Sequence, residues 1–292
     1  MSNEEKSFPK TSINWYPGHM KKTKDKLKEI MPVVDIVYEL IDARIPYSSK
    51  IKDINDIIKN KSKILIMTKK DLCDYNETSK WIKYYESLGY NVLLVDLNSK
   101  DDYKKIVDVT NKLSEEINLK RKNNGLKEKE IKAVVLGIPN VGKSTLINKL
   151  AGRKVANVGN MPGVTKSTVW LKTKYKLLLL DTPGILWPKF DNETVAFNLA
   201  SMSAISENVL PLNEVAKYIL ETLSKHYNYI LNERYNIDCY DDNSFVKIAL
   251  AIGAYNNNEI DYIRVYKKVI NDVKQEYIKK ITFDFYDEIN SK

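Results

Sequence analysis

Through the first 180 residues, short apolar runs alternate with stretches in which apolar residues recur every three or four positions. Residues 33–41, 64–67, 92–95, 133–136, 169–171 and 177–180 have strand length and are rich in aliphatic and β-branched side chains. The first of them runs into Asp42-Ala43-Arg44-Ile45-Pro46, a turn closed by proline. Between the strands, residues 20–30, 51–59, 79–88, 101–119 and 143–150 carry helical spacing. This alternation predicts a doubly wound α/β domain with a mostly parallel sheet. After Trp187-Pro188 the strand runs stop, and residues 214–231, 244–254 and 261–281 predict long helices. The expected organisation is an α/β domain over residues 1–195 and a smaller all-helical domain over 196–292. In the latter, Tyr227, Tyr229, Tyr235, Tyr262, Tyr266 and Tyr277 are expected to fill a small core, stacking on RNA bases being the other reading.

The strongest chemical signal is Gly137-Ile138-Pro139-Asn140-Val141-Gly142-Lys143-Ser144, which matches G-x-x-x-x-G-K-[ST] at every fixed position. It follows a predicted strand and opens a predicted helix, the context in which such a loop wraps its backbone N–H groups around phosphates. Lys143 is expected to reach the β- and γ-phosphates, and Ser144 to ligate Mg²⁺, with Val141, Gly142 and Thr145 completing the nucleotide contacts. Downstream, residues 177–180 lead into Asp181-Thr182-Pro183-Gly184, where Asp181 is placed to hold Mg²⁺ and the Gly184 N–H to meet the γ-phosphate. Between the two lies Pro162-Gly163-Val164-Thr165, whose Thr165 hydroxyl is the expected third Mg²⁺ contact.

Phosphate loops alone do not separate ATP from GTP. Residues 64–67 end in Thr68-Lys69-Lys70-Asp71, which resembles the guanine reader N-K-x-D with Thr68 in place of asparagine. The aspartate of that motif accepts two hydrogen bonds from guanine N1–H and N2–H₂, a donor pair adenine lacks. Lys69 is expected to lay its stem across the base plane. Asn98 and Ser99, after the next strand, are placed to support the other edge of the base. The missing asparagine puts nucleotide affinity, more than specificity, in question. The base reader precedes the phosphate loop here, the reverse of the usual GTPase order, so the chain reads as a circularly permuted P-loop GTPase. The Lys-rich residues 120–132 are then the link between the ordinary fold's old ends. The segment after Gly184 leads straight into the helical domain, so nucleotide state is expected to bias that domain's position.

Charge adds a partner class. The 292 residues hold 47 Lys and Arg against 38 Asp and Glu, a net +9. Residues 211–292 carry 11 cations and 13 acids, so the excess lies in the first 210. It is concentrated at Lys21, Lys22, Lys24, Lys26 and Lys28 and again at Lys120, Arg121, Lys122, Lys127, Lys129 and Lys132. Such a balance favours a polyanionic partner, solvated helix faces being the bland alternative. In the helical domain any grip on a polyanion would fall to a face around Arg264, Lys267, Lys268 and Lys274. At 43% hydrophobic and 29% charged the composition is that of a globular chain. No apolar run approaches the roughly 18–20 residues that span a bilayer, and the N-terminus has no signal-peptide pattern. A cytoplasmic protein without a membrane partner is expected. Cys73 and Cys239 lack paired-ligand spacing and are expected to be buried thiols.

The opening Asn14-Trp15-Tyr16-Pro17-Gly18-His19-Met20, the Asp42–Pro46 element, the permuted motif order, Asp181-Thr182-Pro183-Gly184-Ile185-Leu186-Trp187-Pro188 and the helical tail together resemble the YlqF/YawG family of circularly permuted GTPases. The resemblance spans essentially the whole chain. It implies a GTPase that acts late in assembly of the bacterial large (50S) ribosomal subunit, binds the rRNA and ribosomal proteins of its precursor, and is stimulated by that particle. A monomer is expected. Two further readings stay open: a GTP-regulated RNA-binding scaffold, and a related permuted GTPase serving the small subunit.

Many GTPases orient the attacking water with a glutamine directly after the D-x-x-G glycine, where this chain has Ile185. His19, in a Pro-Gly turn before a basic helix, is one replacement, a capping or packing role being the alternative. Asn140 is the other lead, because similar GTPases with asparagine there use it to hold K⁺ beside the phosphates.

Overall fold

The computed structural model describes residues 25–52, 54–58, 61–154, 170–173, 175–184, 186, 192–256 and 259–291. The opening motif with His19, and the segment containing Thr165, therefore lie outside the described residues. Strands β1 (Ile36–Asp42), β2 (Ser62–Thr68), β3 (Asn91–Leu94), β4 (Ile131–Gly137), β5 (Trp170–Lys172) and β6 (Leu177–Asp181) form one sheet in the order β3-β2-β1-β4-β6-β5. All neighbours are parallel except β5, which runs antiparallel to β6 at the edge.

The central strands read as continuous apolar runs because both faces of the sheet are covered. Ile36, Tyr38 and Leu40 of β1 and Ile131, Ala133 and Val135 of β4 enter one apolar cluster, while Val37, Val134 and Leu136 point to the opposite side. The opposite side is covered by Leu27 of the helical turn at 25–30, by Met31, and by α1 (Ile54–Ile58). A third cluster packs Ile41, Leu65 and Met67 under Trp81 and Tyr85 of α2 (Tyr75–Ser87). Glu39, buried within β1, keeps its carboxylate against the Lys50 ammonium at 2.8 Å, which offsets part of the desolvation that raises its pKa.

α3 (Lys100–Asn123) is longer than the sequence pattern predicts and absorbs the first part of the expected Lys-rich link. Its Ser99 N-cap, Asp101 and Asp102 in the first turn, and Lys120, Arg121 and Lys122 in the last all suit the helix dipole, so the basic run continues the helix. Only residues 124–130 remain as connection before β4.

The second half comprises α5 (Glu193–Ser201), α6 (Leu212–His226), α7 (Asn228–Tyr235), α8 (Ser244–Ala251), α9 (Tyr262–Lys274) and α10 (Tyr286–Asn290), with α4 (Lys143–Ala151) still belonging to the sheet layer. A two-residue hairpin, Tyr255–Asn256 with Glu259–Ile260, is the single addition to helix there among the described residues. The expected domain boundary at 195–196 falls inside α5, and the apolar core runs unbroken from β1 and β4 into α6 and α9.

The helix expected over 214–231 divides at Tyr227, whose backbone leaves helical geometry (φ −142°). Its hydroxyl donates to the Asp74 carboxylate at 3.1 Å and accepts from the Thr282 N–H at 3.1 Å. Tyr227 and Tyr235 are buried as expected, but Tyr229, Tyr262 and Tyr277 are exposed. The four cations expected to form one face are largely engaged within the chain: Arg264 donates to the Gly253 carbonyl, Lys268 pairs with Asp272, and Lys274 pairs with Glu207. Cys73 is buried, whereas Cys239 is exposed, against expectation.

Candidate nucleotide-binding site

Parallel strands deliver their carboxyl ends to one edge of the sheet, and the motifs meet there. β4 ends at Gly137, where an added Cβ would sit 2.6 Å from the Leu40 carbonyl oxygen, so only glycine lets the loop leave between β1 and β4. Gly142 holds φ +100° as N-cap of α4, the left-handed turn that swings the chain into the helix. Ser144 and Thr145 follow in its first turn, half-buried.

Lys143 is buried, and its ammonium donates to the carbonyls of Gly137 (3.1 Å) and Ile138 (2.7 Å). Burial pulls its pKa down to about 8, with the nearby Asp181 carboxylate holding it up in part. Asp181 is buried at the end of β6, where Val135 of β4 is its register partner. The next residue, Thr182, locks the strand end by donating to the Val135 carbonyl at 2.7 Å. Gly184 lies against the phosphate loop so closely that a Cβ would come within 2.6 Å of the Pro139 nitrogen. The two phosphate elements are thus in backbone contact.

The strand that leads into the expected base reader is joined to the same loop. β2 ends at Thr68, whose buried hydroxyl donates to the Val141 carbonyl of the phosphate loop at 2.8 Å, with the Ile41 carbonyl also within reach at 3.2 Å. The residue that departs from the usual asparagine therefore ties the two halves of the site. Lys69 takes φ +61° and is half-buried, and Asp71 stands exposed beyond it. Partial burial, with the nearby carboxylates of Asp96 and Glu276, raises the Asp71 pKa above the usual carboxylate range. Lys70 donates to Asp102 at 3.2 Å, fastening the reader loop to α3.

The remaining expected contacts are placed less directly. Asn98 is exposed beside the reader with its N–H donating to the Asp96 carboxylate at 2.7 Å. The Ser99 hydroxyl is spent capping α3, accepting from the Asp102 N–H at 3.3 Å. Asn140, at φ +60°, donates its amide to the Ser203 carbonyl at 2.6 Å, linking the phosphate loop to the helical half.

Two further contributions carried no role in the sequence. The buried pair Asp42–Arg44 sits at the end of β1 beside Lys69. The stretch 281–284 returns from the helical half to the reader: the Ile281 N–H donates to the Leu72 carbonyl (3.1 Å), the Asp74 N–H to the Ile281 carbonyl (3.2 Å), and the Phe283 N–H to the Arg44 carbonyl (2.7 Å). Asp284 completes the strap by accepting from Ser48 and from Asn198 of α5. An acid two residues before an arginine at a strand end was the available signal for the first, and the strap left none.

Comparison with known proteins agrees with this geometry. A family model described as "50S ribosome-binding GTPase" matches residues 132–241, from β4 into the helical half. The chain is 40% identical over 279 residues to ribosome biogenesis GTPase A of Priestia megaterium, covering 94% of this chain and 96% of that one. It is 36% identical over 285 residues to the protein of the same name from Bacillus cereus, covering 96% of each. The crystal structure of GNP-bound YlqF from T. maritima superposes with a TM-score of 0.62 at 21% identity over 90% of this chain and 97% of that one, which shows a shared fold. With the base reader ahead of the phosphate loop and both on one sheet edge, the chain belongs to the ribosome biogenesis GTPase A family and is a GTP-hydrolysing enzyme.

Proposed function

We propose that this GTPase times a late step in assembly of the large ribosomal subunit, binding the precursor particle as a cytoplasmic monomer and turning over faster on its rRNA. The observation that carries the nucleotide chemistry is the Thr68–Val141 hydrogen bond, which makes one pocket of two motifs that lie in reversed chain order. In that pocket Asp71 reads guanine, Lys69 covers the base, and Asn98 and Ser99 flank it. The loop Asn140–Thr145 cradles the phosphates, Lys143 turns its ammonium from two carbonyls toward them, and the Gly184 N–H meets the γ-phosphate.

The donor set suits Mg²⁺: the Ser144 hydroxyl and the Asp181 carboxylate are hard oxygens, and this ion is commonly bound through one or two carboxylates plus substrate phosphates. Among the described residues no group of three His, Cys, Asp or Glu side chains forms a larger cage. Thr165 is the proposed third ligand. When bound, the ion offsets phosphate charge. His19 is proposed to position the attacking water, and Asn140 to hold K⁺. The GTPase unit is assigned to residues 1–195 and the particle-contacting unit to 196–292, with the basic residues near the start and in α3 supplying long-range attraction. No helix among the described residues is long and apolar enough to cross a membrane.

Co-sedimentation with purified large and small subunits, with GTP, GDP or a non-hydrolysable GTP analogue, tests this reading. Capture by the large subunit with the analogue, and release with GDP, is expected. Preference for the small subunit would overturn it. Full assembly activity with the analogue alone would make the protein a binding scaffold.

A further inference from the structure

We propose that Asp42 is a positioning residue for guanine binding: its buried carboxylate, fixed by Arg44, holds the Lys69 ammonium at the base pocket and sets nucleotide affinity without touching nucleotide. The inference rests on Lys69 being the base-covering lysine of the preceding section.

Asp42 ends β1 directly opposite Thr68 in the parallel register, which brings it beside the reader. Both of its oxygens are committed. Oδ1 accepts from the Arg44 backbone N–H at 3.0 Å and from Nε at 3.0 Å, and Oδ2 accepts from an Arg44 Nη at 2.8 Å. The Lys69 Nζ stands 3.8 Å from the same Oδ2. Asp42 and Arg44 are 3% and 2% exposed, so the pair is shielded from solvent. Arg44 is itself pinned, since its carbonyl accepts from the Phe283 N–H of the strap.

Two cations thus share one carboxylate, and the arrangement is balanced only while that carboxylate is charged. Burial, and next the Arg44 guanidinium, depress the Lys69 pKa, and Asp42 leads the groups that oppose them. Asp42 is itself held at about 2, because Arg44 and Lys69 outweigh its burial. Without the carboxylate, Arg44 and Lys69 would face each other across a poorly solvated gap. Lys69 could then leave the pocket or lose its proton, and in either case its ordered stem would no longer be held over the base. The ion pair therefore works at the base site as well as in the core.

A double-mutant cycle on nucleotide affinity tests this. Asp42→Asn, Lys69→Met and the double variant are compared by fluorescent-GDP titration and by GTPase kinetics. Asp42→Asn is expected to weaken GDP binding and raise KM by about tenfold, within the range for coupled neighbouring groups, while kcat at saturation stays within about twofold. In the Lys69→Met background the same change should add nothing further. Because Asp42→Asn leaves Arg44 buried without its counter-charge, Asp42→Asn/Arg44→Met is measured in parallel; in this well-folded protein the anchor for Lys69 is still lost but the Arg44 repulsion is gone, so GDP binding should still weaken, by less than in Asp42→Asn alone. Unchanged affinity in this pair, or a full Asp42 effect persisting without Lys69, would overturn the proposal and reduce Asp42 to a core ion pair. Unchanged affinity in Lys69→Met alone would overturn the assignment of Lys69 itself.

Discussion

Replacing Thr68 by valine removes one hydroxyl and keeps the shape of the side chain. The bond lost is a buried one of 2.8 Å to the Val141 carbonyl, and the carbonyl left behind lies inside the sheet edge, away from water. Leaving such an acceptor without its donor costs about 1–3 kcal/mol. That cost divides between folding and ligand binding, since the bond joins the two loops proposed above to contact nucleotide. If about 1–2 kcal/mol of it falls on the site, the Kd for GDP rises roughly 5–30-fold. Urea unfolding should lose about 1 kcal/mol over the same substitution. Thr68→Ser, which keeps the hydroxyl, is expected to bind within a few-fold of the parent. Titration with a fluorescent GDP, read against urea curves for each variant, separates the two shares. A valine variant with unaltered GDP affinity would refute the reasoning, since the two loops would then hold their places without the tie.

Three further outcomes are expected. Lys143 holds its proton to about pH 8 in the fold against 10.5 when unfolded, so the unfolded chain binds more protons between these values and stability without nucleotide rises there. Phosphate binding favours the charged form, and GDP affinity should fall as pH rises through about 8, measured by titration at constant salt. Gly184→Ala places a Cβ 2.6 Å from the Pro139 backbone nitrogen, which cannot yield, so kcat should drop about 10²-fold with GDP affinity nearly unchanged, checked by single-turnover hydrolysis. Asp284→Ala strips the acceptor from the Ser48 N–H, the Ser48 hydroxyl and the Asn198 amide, and should cost about 2–4 kcal/mol in urea unfolding.

What the sequence made legible is what depends on near neighbours. The apolar run over residues 33–41 placed β1, and the glycine spacing around Lys143 placed the phosphate loop, because a buried strand and a phosphate turn are each set within a few residues. The reversed order of motifs was equally readable, since it needs only that each motif sit at a strand end. Contacts between distant segments were not. Thr68 looked like a weakened motif, and its hydroxyl acquires a purpose only when Val141 is folded 73 positions away. The same holds for Asn198, Ser48 and Asp284, which are ordinary polar residues until three segments converge on them. The sequence pattern ends α3 early because Lys120, Arg121 and Lys122 read as a solvated link, whereas at a helix carboxyl end they are stabilised by the dipole. Tyr227 continues the helical spacing of α6, so the break there is imposed by its hydroxyl partners in the reader loop and strap.

The central claim is that guanine is read by Asp71 in a pocket assembled from permuted halves, and the exchange Asp71→Asn tests it most directly. Guanine presents donors at N1 and N2 to a carboxylate, while xanthine presents a donor at N1 and an acceptor at O2, which an amide matches. Nucleotide titration of the parent and the variant with GDP, xanthosine diphosphate and ADP should show the parent preferring GDP, the variant preferring xanthosine diphosphate, and neither retaining ADP. A variant that binds GDP as tightly as the parent would contradict the account.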